Sequence, residues 1–382
     1  MNRQLIASVK ESFETRFGEA PLLIFSPGRI NLIGEHTDYN EGFVFPAAID
    51  KGIVLAIQKS EASFSNAYAL DMEALHSFGL EGLEPLAEGG WQNYVLGVVA
   101  ELQKLGHSIG NFNMVFAGDI PSGAGMSSSA ALENSVVYGL NELFGLALSK
   151  NEMIFISQKA EHHFAGVKCG IMDQYASMFG VENNALLLDC RITKAQPFPI
   201  DFKEYGLLLI NTNVKHDLSE SAYNNRRKVC EEVADLLGVK ALRDASLEDL
   251  EQVKDKISTE DFEKASYIIE ENSRVALFAE AIQNEDLALL GELLYRSHDG
   301  LSDKYRVSCV ELDYLVGVAK NQTAILGARM MGGGFGGCTI NLILKSEIND
   351  FVEEISENYK NTFNKDCSVY QVALSAGTRI IK

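Results

Sequence analysis

Four short segments hold most of the side chains in this chain that could do chemistry. The first is PGRINLIGEHTDY, residues 27–39, where Arg29, Glu35, His36, Thr37 and Asp38 fall within ten positions. Ionised carboxylates make strong, directional hydrogen bonds to hydroxyl donors, so acids packed beside an Arg and a His suit a polyol. A solvated loop with a local ion pair would have the same composition. The second is GDIPSGAGMSSSAA, residues 118–131, a Gly/Ser loop that runs straight into a helical pattern. Its glycines let backbone approach an anion closely, and the N–H groups and dipole of the following helix supply positive potential. It has neither the GK[ST] ending of a Walker loop nor the spacing of GxGxxG, and its serines would also serve as plain helix caps.

The third segment, MMGGGFGGC at 330–338, has five glycines in six positions. That density calls for positive-φ turns, for close approach of backbone to a ligand, or for a merely flexible hairpin. The fourth is EHHFAGVKCGIMDQY, residues 161–175. Adjacent side chains on a helix point about 100° apart, so His162 and His163 do not chelate one ion together. HExxH is absent, and a zinc hydrolase is a poor reading. Asp173, lying among apolar residues and glycine, is either a buried acceptor or a catalytic group; composition does not choose between them.

These segments need a scaffold to bring them together. The chain has 382 residues, enough for two lobes and a core without staples. Its 33 basic and 53 acidic side chains give a formal charge of −20. Such a surface argues against nucleic acid and anionic lipid as partners, and any anion must be bound by local donors. The first 17 residues read as a polar amphipathic helix, not a signal peptide, and no 18-residue apolar run follows. The six scattered cysteines form no CxxC pair and read as reduced thiols of a cytoplasmic protein.

Tight Gly/Pro punctuation divides the first 60 residues into strands, with candidates at 44–48 and 53–58. A helix is expected over 91–106, a strand over 111–117 and a long helix after the Gly/Ser loop. Ser149 with Glu152, and Ser246 with Asp249, are capping boxes that open further helices. Strands are expected at 185–189 and 206–212, then one or two helices over 260–296 and another over 308–319. Strands around AILGARMM, CTINLILK and CSVYQVAL close the chain, split by a helix at 347–363. This is an α+β pattern of two lobes, 1–195 and 196–382, joined without a linker and so across a large interface.

Taken together, the four segments resemble those of the GHMP small-molecule kinase family. GRINLIGEHTDYN is similar to the sugar-binding signature of its galactose-phosphorylating members, PSGAGMSSSAA to the family's phosphate loop, and GGGFGGC to its third motif. Further similarity lies in Ser297-His298-Asp299 and in residues 307–313, so it runs from about residue 20 to the C-terminus. The resemblance implies a two-lobed fold with ATP and sugar meeting in the cleft between lobes. It implies transfer of the γ-phosphoryl group of ATP to the C1 hydroxyl of galactose, the first committed step of galactose catabolism.

The same resemblance implies roles by position. Asp173 matches the base, and Arg29 matches the Arg near the reacting hydroxyl. Glu35, His36, Thr37, Asp38 and Tyr223 match sugar-binding positions. Gly123, Ala124, Gly125, Met126, Ser127, Ser128 and Ser129 match the phosphate loop, and Ser129 and Glu161 the ligands of Mg²⁺. Ser129-Ala130 is the pair that non-catalytic sensor relatives lack, so an active enzyme is implied. The nucleotide-site Ser that follows an aromatic in the family is replaced by Ala69 after Tyr68, with Trp91 and Tyr94 as candidate adenine contacts. Rivals are an N-acetylgalactosamine kinase or arabinokinase of the same fold, or a non-catalytic galactose- and ATP-binding regulator. Galactose and ATP are the expected partners, with the protein a monomer or weak oligomer.

Overall fold

The computed structural model describes residues 2–18, 21–121, 123–214 and 219–381, the backbone alone at 219–221. In the first half, helix α1 (Arg3–Phe17) precedes strands β1 (Leu22–Asn31), β2 (Phe43–Val44), β3 (Pro46–Lys59), β4 (Ser65–Ala69) and β5 (Ala74–Phe78). Helix α2 (Trp91–Lys104), strand β6 (Phe112–Gly118), and helices α3 (Ser128–Phe144), α4 (Lys150–Ala160) and α5 (Met172–Phe179) follow. Strands β7 (Asn184–Asp189) and β8 (Lys194–Pro199) end this half. The second half runs β9 (Tyr205–Asn211), α6 (Ser219–Leu237), α7 (Leu247–Glu251), α8 (Thr259–Gln283), α9 (Leu287–Asp299) and α10 (Val310–Lys320). Strands β10 (Ile325–Met330) and β11 (Cys338–Leu344), helix α11 (Ile348–Phe363), and strands β12 (Ser368–Gln371) and β13 (Arg379–Ile380) complete it.

The large sheet has the order β13-β1-β3-β6-β4-β5. Side chains alternate across a strand, and β3 shows why both faces are covered. Ile53, Leu55 and Ile57 pack under the helices α2 to α5, while Val54 and Ala56 meet Val9 and Phe13 of α1. A second sheet, β10-β11-β9-β12, carries α10 and α11 on one face through Leu315, Val316, Phe351 and Ile355. Its other face joins the first half: Leu209, Ile340 and Leu342 share one core with Ile30, Ile33, Phe45 and Ala47. The two lobes therefore meet across a continuous apolar interface. The third sheet, β2-β7-β8, lies beside it, and β13 returns to pair with β1 at Ile24 and Phe25.

Two expectations change. The Pro-Gly punctuation at 27–28 suggests that Arg29 sits in a loop, but β1 runs through it, with Pro27 opposite Gly52 and Arg29 opposite Ala48. A register irregularity between Pro27 and Arg29 absorbs the proline, which cannot donate to the ladder. The candidate strands at 44–48 and 53–58 are in the main one 14-residue strand, β3, paired on both edges. Both capping boxes form as the spacing predicts, at Ser149/Glu152 and Ser246/Asp249.

Candidate active site

The end of β1, the Gly/Ser loop and the start of α5 converge on one pair of side chains. Arg29 grips Asp173 in a bidentate pair, Nε to Oδ1 at 2.7 Å and Nη2 to Oδ2 at 2.7 Å. Its third nitrogen, Nη1, donates to the Gly125 carbonyl at 2.5 Å. Burial works against the charge on Arg29, but Asp173 and Glu35 outweigh it and raise the guanidinium's pKa. Asp173 also accepts a hydrogen bond from Ser127 Oγ. Ser127 sits at φ 58°, the left-handed region, where the loop bends into α3. Asp173 is thus gripped by one arginine and one hydroxyl, with a quarter of its side chain open.

That opening faces a cavity of about 250 Å³ between the lobes, lined by Arg29, Glu35, His36, Asp38, Glu161, Asp173 and Tyr223, and closed by Gly332–Phe335. Glu35 is buried and accepts from Arg329 Nη1 at 2.6 Å. Arg329, wholly buried on β10, also donates to the carbonyls of Leu32 at 2.8 Å, of Met330, and of Asn31. One cation so ties the first motif to the third. Asp38 lies across the cavity; burial, then the negative charge of Asp173, pushes its carboxyl up to about 7. His36, at φ 64°, is pushed down to about 3 by burial and by Arg226, and is neutral at physiological pH. Tyr223 of α6 lays its ring 5.4 Å from those of both His36 and Tyr39.

Thr37 departs from expectation. It does not line the cavity; it is fully buried, and its hydroxyl lies 2.9 Å from the Gly34 carbonyl and 2.6 Å from that of Phe43. Its place is inside the turn that presents its neighbours.

In the Gly/Ser loop, Ala124 and Met126 point into the interlobe core and none of residues 123–129 lines the cavity; Gly125 and Ser127 touch it only through Arg29 and Asp173. Ser122 of the same motif lies outside the described residues. Gly125 (φ 69°) packs against Gly332 (φ 87°), and a Cβ on Gly332 would lie 3.3 Å from the Gly125 Cα. The glycine-rich third motif is therefore a close-packed partner of the loop, not a floppy hairpin. His298 supports it from behind: Nδ1 accepts from the Met330 N–H at 3.2 Å, and Nε2 faces Asp313 Oδ1 at 3.2 Å.

At the start of α3, Ser129 Oγ donates to Glu161 Oε1 at 3.1 Å. The other oxygen of Glu161 accepts from Gln174 Nε2 at 2.7 Å and faces the Cys169 thiol at 3.4 Å. Burial, then Asp173, pushes the Glu161 carboxyl up to about 7. Ser129 and Glu161 thus present hard oxygens side by side, Glu161 on the cavity and Ser129 behind it, the donor chemistry that suits a Mg²⁺ ion. Gln174 also reaches Glu133 Oε2 at 3.3 Å, on a carboxylate fully buried in α3.

His162 and His163 go to separate partners, the Cys169 carbonyl at 2.8 Å and Glu101 at 2.7 Å. Trp91 is not placed at this cavity; it packs edge-to-face on Phe116 at 5.2 Å inside the core that also takes Ala69, with Tyr94 packed against it. Arg329 and Glu133 lie outside the four segments, and Gln174, inside the fourth, had no role assigned to it. A single cation inside the apolar run AILGARMM was the available signal for the first.

The chain matches three family models in order: the galactokinase galactose-binding signature over residues 11–59, the GHMP kinases N terminal domain over 93–181, and the GHMP kinases C terminal domain over 278–361. It is 39% identical to a galactokinase of Thermotoga petrophila across 93% of this chain and 99% of that one. It is 37% identical to a galactokinase of Haemophilus influenzae across 98% and 99%. The crystal structure of Lactococcus lactis galactokinase complexed with galactose superposes with a TM-score of 0.94 at 34% identity, covering 98% of this chain and 99% of that one. The Methanococcus jannaschii mevalonate kinase shares the fold at a TM-score of 0.66 and 17% identity, covering 93% and 99%.

Proposed function

The chain belongs to the galactokinase family of GHMP kinases, and from that premise we infer that it transfers the γ-phosphoryl group of ATP to the C1 hydroxyl of D-galactose. The observation that carries the chemistry is the Arg29–Asp173 pair, which lines one cavity with Glu35, His36 and Asp38 and is bonded from behind by Gly125 and Ser127 of the Gly/Ser loop. Phosphoryl transfer asks for positioning and charge neutralisation more than for covalent chemistry.

In this reading Glu35, His36, Asp38 and Tyr223 hold the sugar hydroxyls, and the backbone of residues 123–129 with the start of α3 holds the phosphates. The C1 oxygen bonds to the γ-phosphorus, the bond from that phosphorus to ADP breaks, and Asp173 takes up the hydroxyl proton. Arg29 orients Asp173 and faces the charge that develops beside it. Ser129 and Glu161 would hold Mg²⁺, which when bound neutralises charge on the β- and γ-phosphates. Thr37 holds the turn and leaves the sugar to its neighbours. A cytoplasmic setting, where ATP is made, fits; among the described residues no helix is long and apolar enough to cross a membrane.

The test is the product. Incubated with ATP, magnesium and galactose, the protein should yield one sugar phosphate whose phosphorus couples to the anomeric proton in NMR, with ADP released in equal amount. Phosphate on C6, or ADP without sugar phosphate, would overturn the reading.

A further inference from the structure

Behind His36 runs a line of hydroxyls that the chemistry above does not use. His36 Nδ1 lies 2.7 Å from Tyr39 Oη, and Tyr39 Oη lies 2.8 Å from Tyr305 Oη. Tyr305 Oη in turn lies 3.4 Å from the thiol of Cys230. Tyr305 and Cys230 are buried, and the Tyr305 carbonyl is pinned by Arg226 Nε at 2.8 Å. At its other end the chain reaches the cavity: His36 Nε2 is buried and has no side-chain partner, and the protein group that faces the ring there is the backbone of Gly333.

Each hydroxyl has one proton, so the chain runs in one of two directions. If His36 Nδ1 donates, both phenols must donate away from it, and Tyr305 gives its only proton to sulfur, a weak acceptor. In the opposite direction the thiol donates to Tyr305, Tyr305 to Tyr39, and Tyr39 to the imidazole nitrogen. Both phenol protons then reach strong acceptors at short distance. The second arrangement gives both phenols strong acceptors, and the proton it places on Nε2 meets the Gly333 backbone until a sugar oxygen takes it, so no buried donor is stranded. Because His36 is held neutral, the choice of direction decides which nitrogen carries its proton.

We propose that Cys230, Tyr305 and Tyr39 form a directional hydrogen-bond chain that fixes His36 as the Nε2–H tautomer, so that this ring donates to a sugar oxygen and does not accept from a sugar hydroxyl. Tyr39 and Tyr305 are positioning residues. The inference rests on the reading that His36 faces galactose, and it adds what kind of oxygen the ring selects.

Two measurements test it separately from that reading. The first is ¹⁵N NMR of the sugar-free protein with labelled histidine, with His36 identified from its absence in His36→Gln. The wild type should show protonated Nε2 and bare Nδ1, and Tyr305→Phe should move the pattern toward a mixture. The second is kcat/KM for galactoses carrying hydrogen or fluorine in place of each ring hydroxyl other than that on C1. Fluorine accepts but cannot donate, so at one position the fluoro sugar should outperform the deoxy sugar by roughly tenfold, the weight of one neutral hydrogen bond. Tyr305→Phe should lose that preference while KM for ATP stays within about twofold, a split that mere loosening of the fold would not give. Tyr39→Phe serves if Tyr305→Phe fails to fold. A wild-type His36 protonated on Nδ1 overturns the proposal, as does a tautomer and fluoro preference unmoved by either variant. Failure of galactose as a substrate would fall on the functional reading and leave the NMR result standing.

Discussion

The Arg29–Asp173 pair is where the chemistry concentrates, and it is also where replacement is most informative. Asp173→Asn keeps the shape and an acceptor for Arg29 but removes the base. Turnover should fall ~10²–10⁴-fold with galactose binding retained, as read by rapid-quench kinetics and by calorimetry with sugar. Activity within threefold of wild type would remove Asp173 from that role. Glu161 offers a second, pH-dependent reading. Its acid form persists in the folded protein to about pH 7, above the ordinary 4.5 of a free glutamate. On this group's account, stability is fully present below about pH 4.5 and is lost as pH rises through about 7. Glu161→Gln cannot ionise, so without magnesium or nucleotide it should melt higher than wild type at about pH 8 and no higher at about pH 4.5. Equal differences at both pH values would contradict this. Of the residues singled out in the motifs, Arg29, Glu35, His36, Asp38, Asp173 and Glu161 line the cavity, as does Tyr223, and Gly123 to Ser129 do not. Thr37 was not separable from its neighbours, because a hydroxyl facing a carbonyl inside a turn and one facing a ligand have the same local sequence.

The elements decide how closely the motifs can meet, and two contacts test this. Gly170, in the loop before α5, lies so near Asp38 that an added Cβ would fall on its carboxylate. Gly170→Ala should therefore displace Asp38 and raise KM for galactose several-fold more than KM for ATP; equal changes would place the damage in the fold. Arg329 is wholly buried and holds Glu35 and three carbonyls. Arg329→Met leaves Glu35 buried without its partner, which for a buried pair costs ~3–5 kcal/mol, to be read from urea unfolding. A loss below about 1 kcal/mol would mean that Glu35 finds other partners. Helices with capping boxes were legible because both box residues lie within four positions. Strands β4, β5 and β8 were not: SNAYA, ALHSF and KAQPFP are short and mixed in polarity, with no clean alternation to mark them even though β4–β5 and β7–β8 pair as local hairpins. β1 looked broken at Pro27 for a different reason: the pairing that continues it comes from β3, which the local sequence does not show.

At the scale of the whole molecule, one apolar interface fixes the two lobes, and the cavity lies along its edge. Ala124 and Met126 of the Gly/Ser loop and Ile30 and Ile33 of the first motif share that core with Leu209 and Ile340 of the second sheet. The loop of residues 35–38 and the Gly/Ser loop are thus anchored to the same packing and held at a fixed separation. The chain's charge of −20 makes the placing of cations local, with Arg29 and Arg329 buried beside acids instead of spread on the surface. A cavity so dense in fixed acceptors and donors should read the orientation of each hydroxyl. A site built to hydrogen-bond a hydroxyl discriminates by ~10⁴-fold, because a misplaced one leaves buried groups unpaired. Galactose and glucose differ only at C4, which makes their comparison the most direct test of the account. With ATP saturating, kcat/KM should favour galactose over glucose by at least ~10³-fold; equal values for the two sugars would contradict a galactose-specific site.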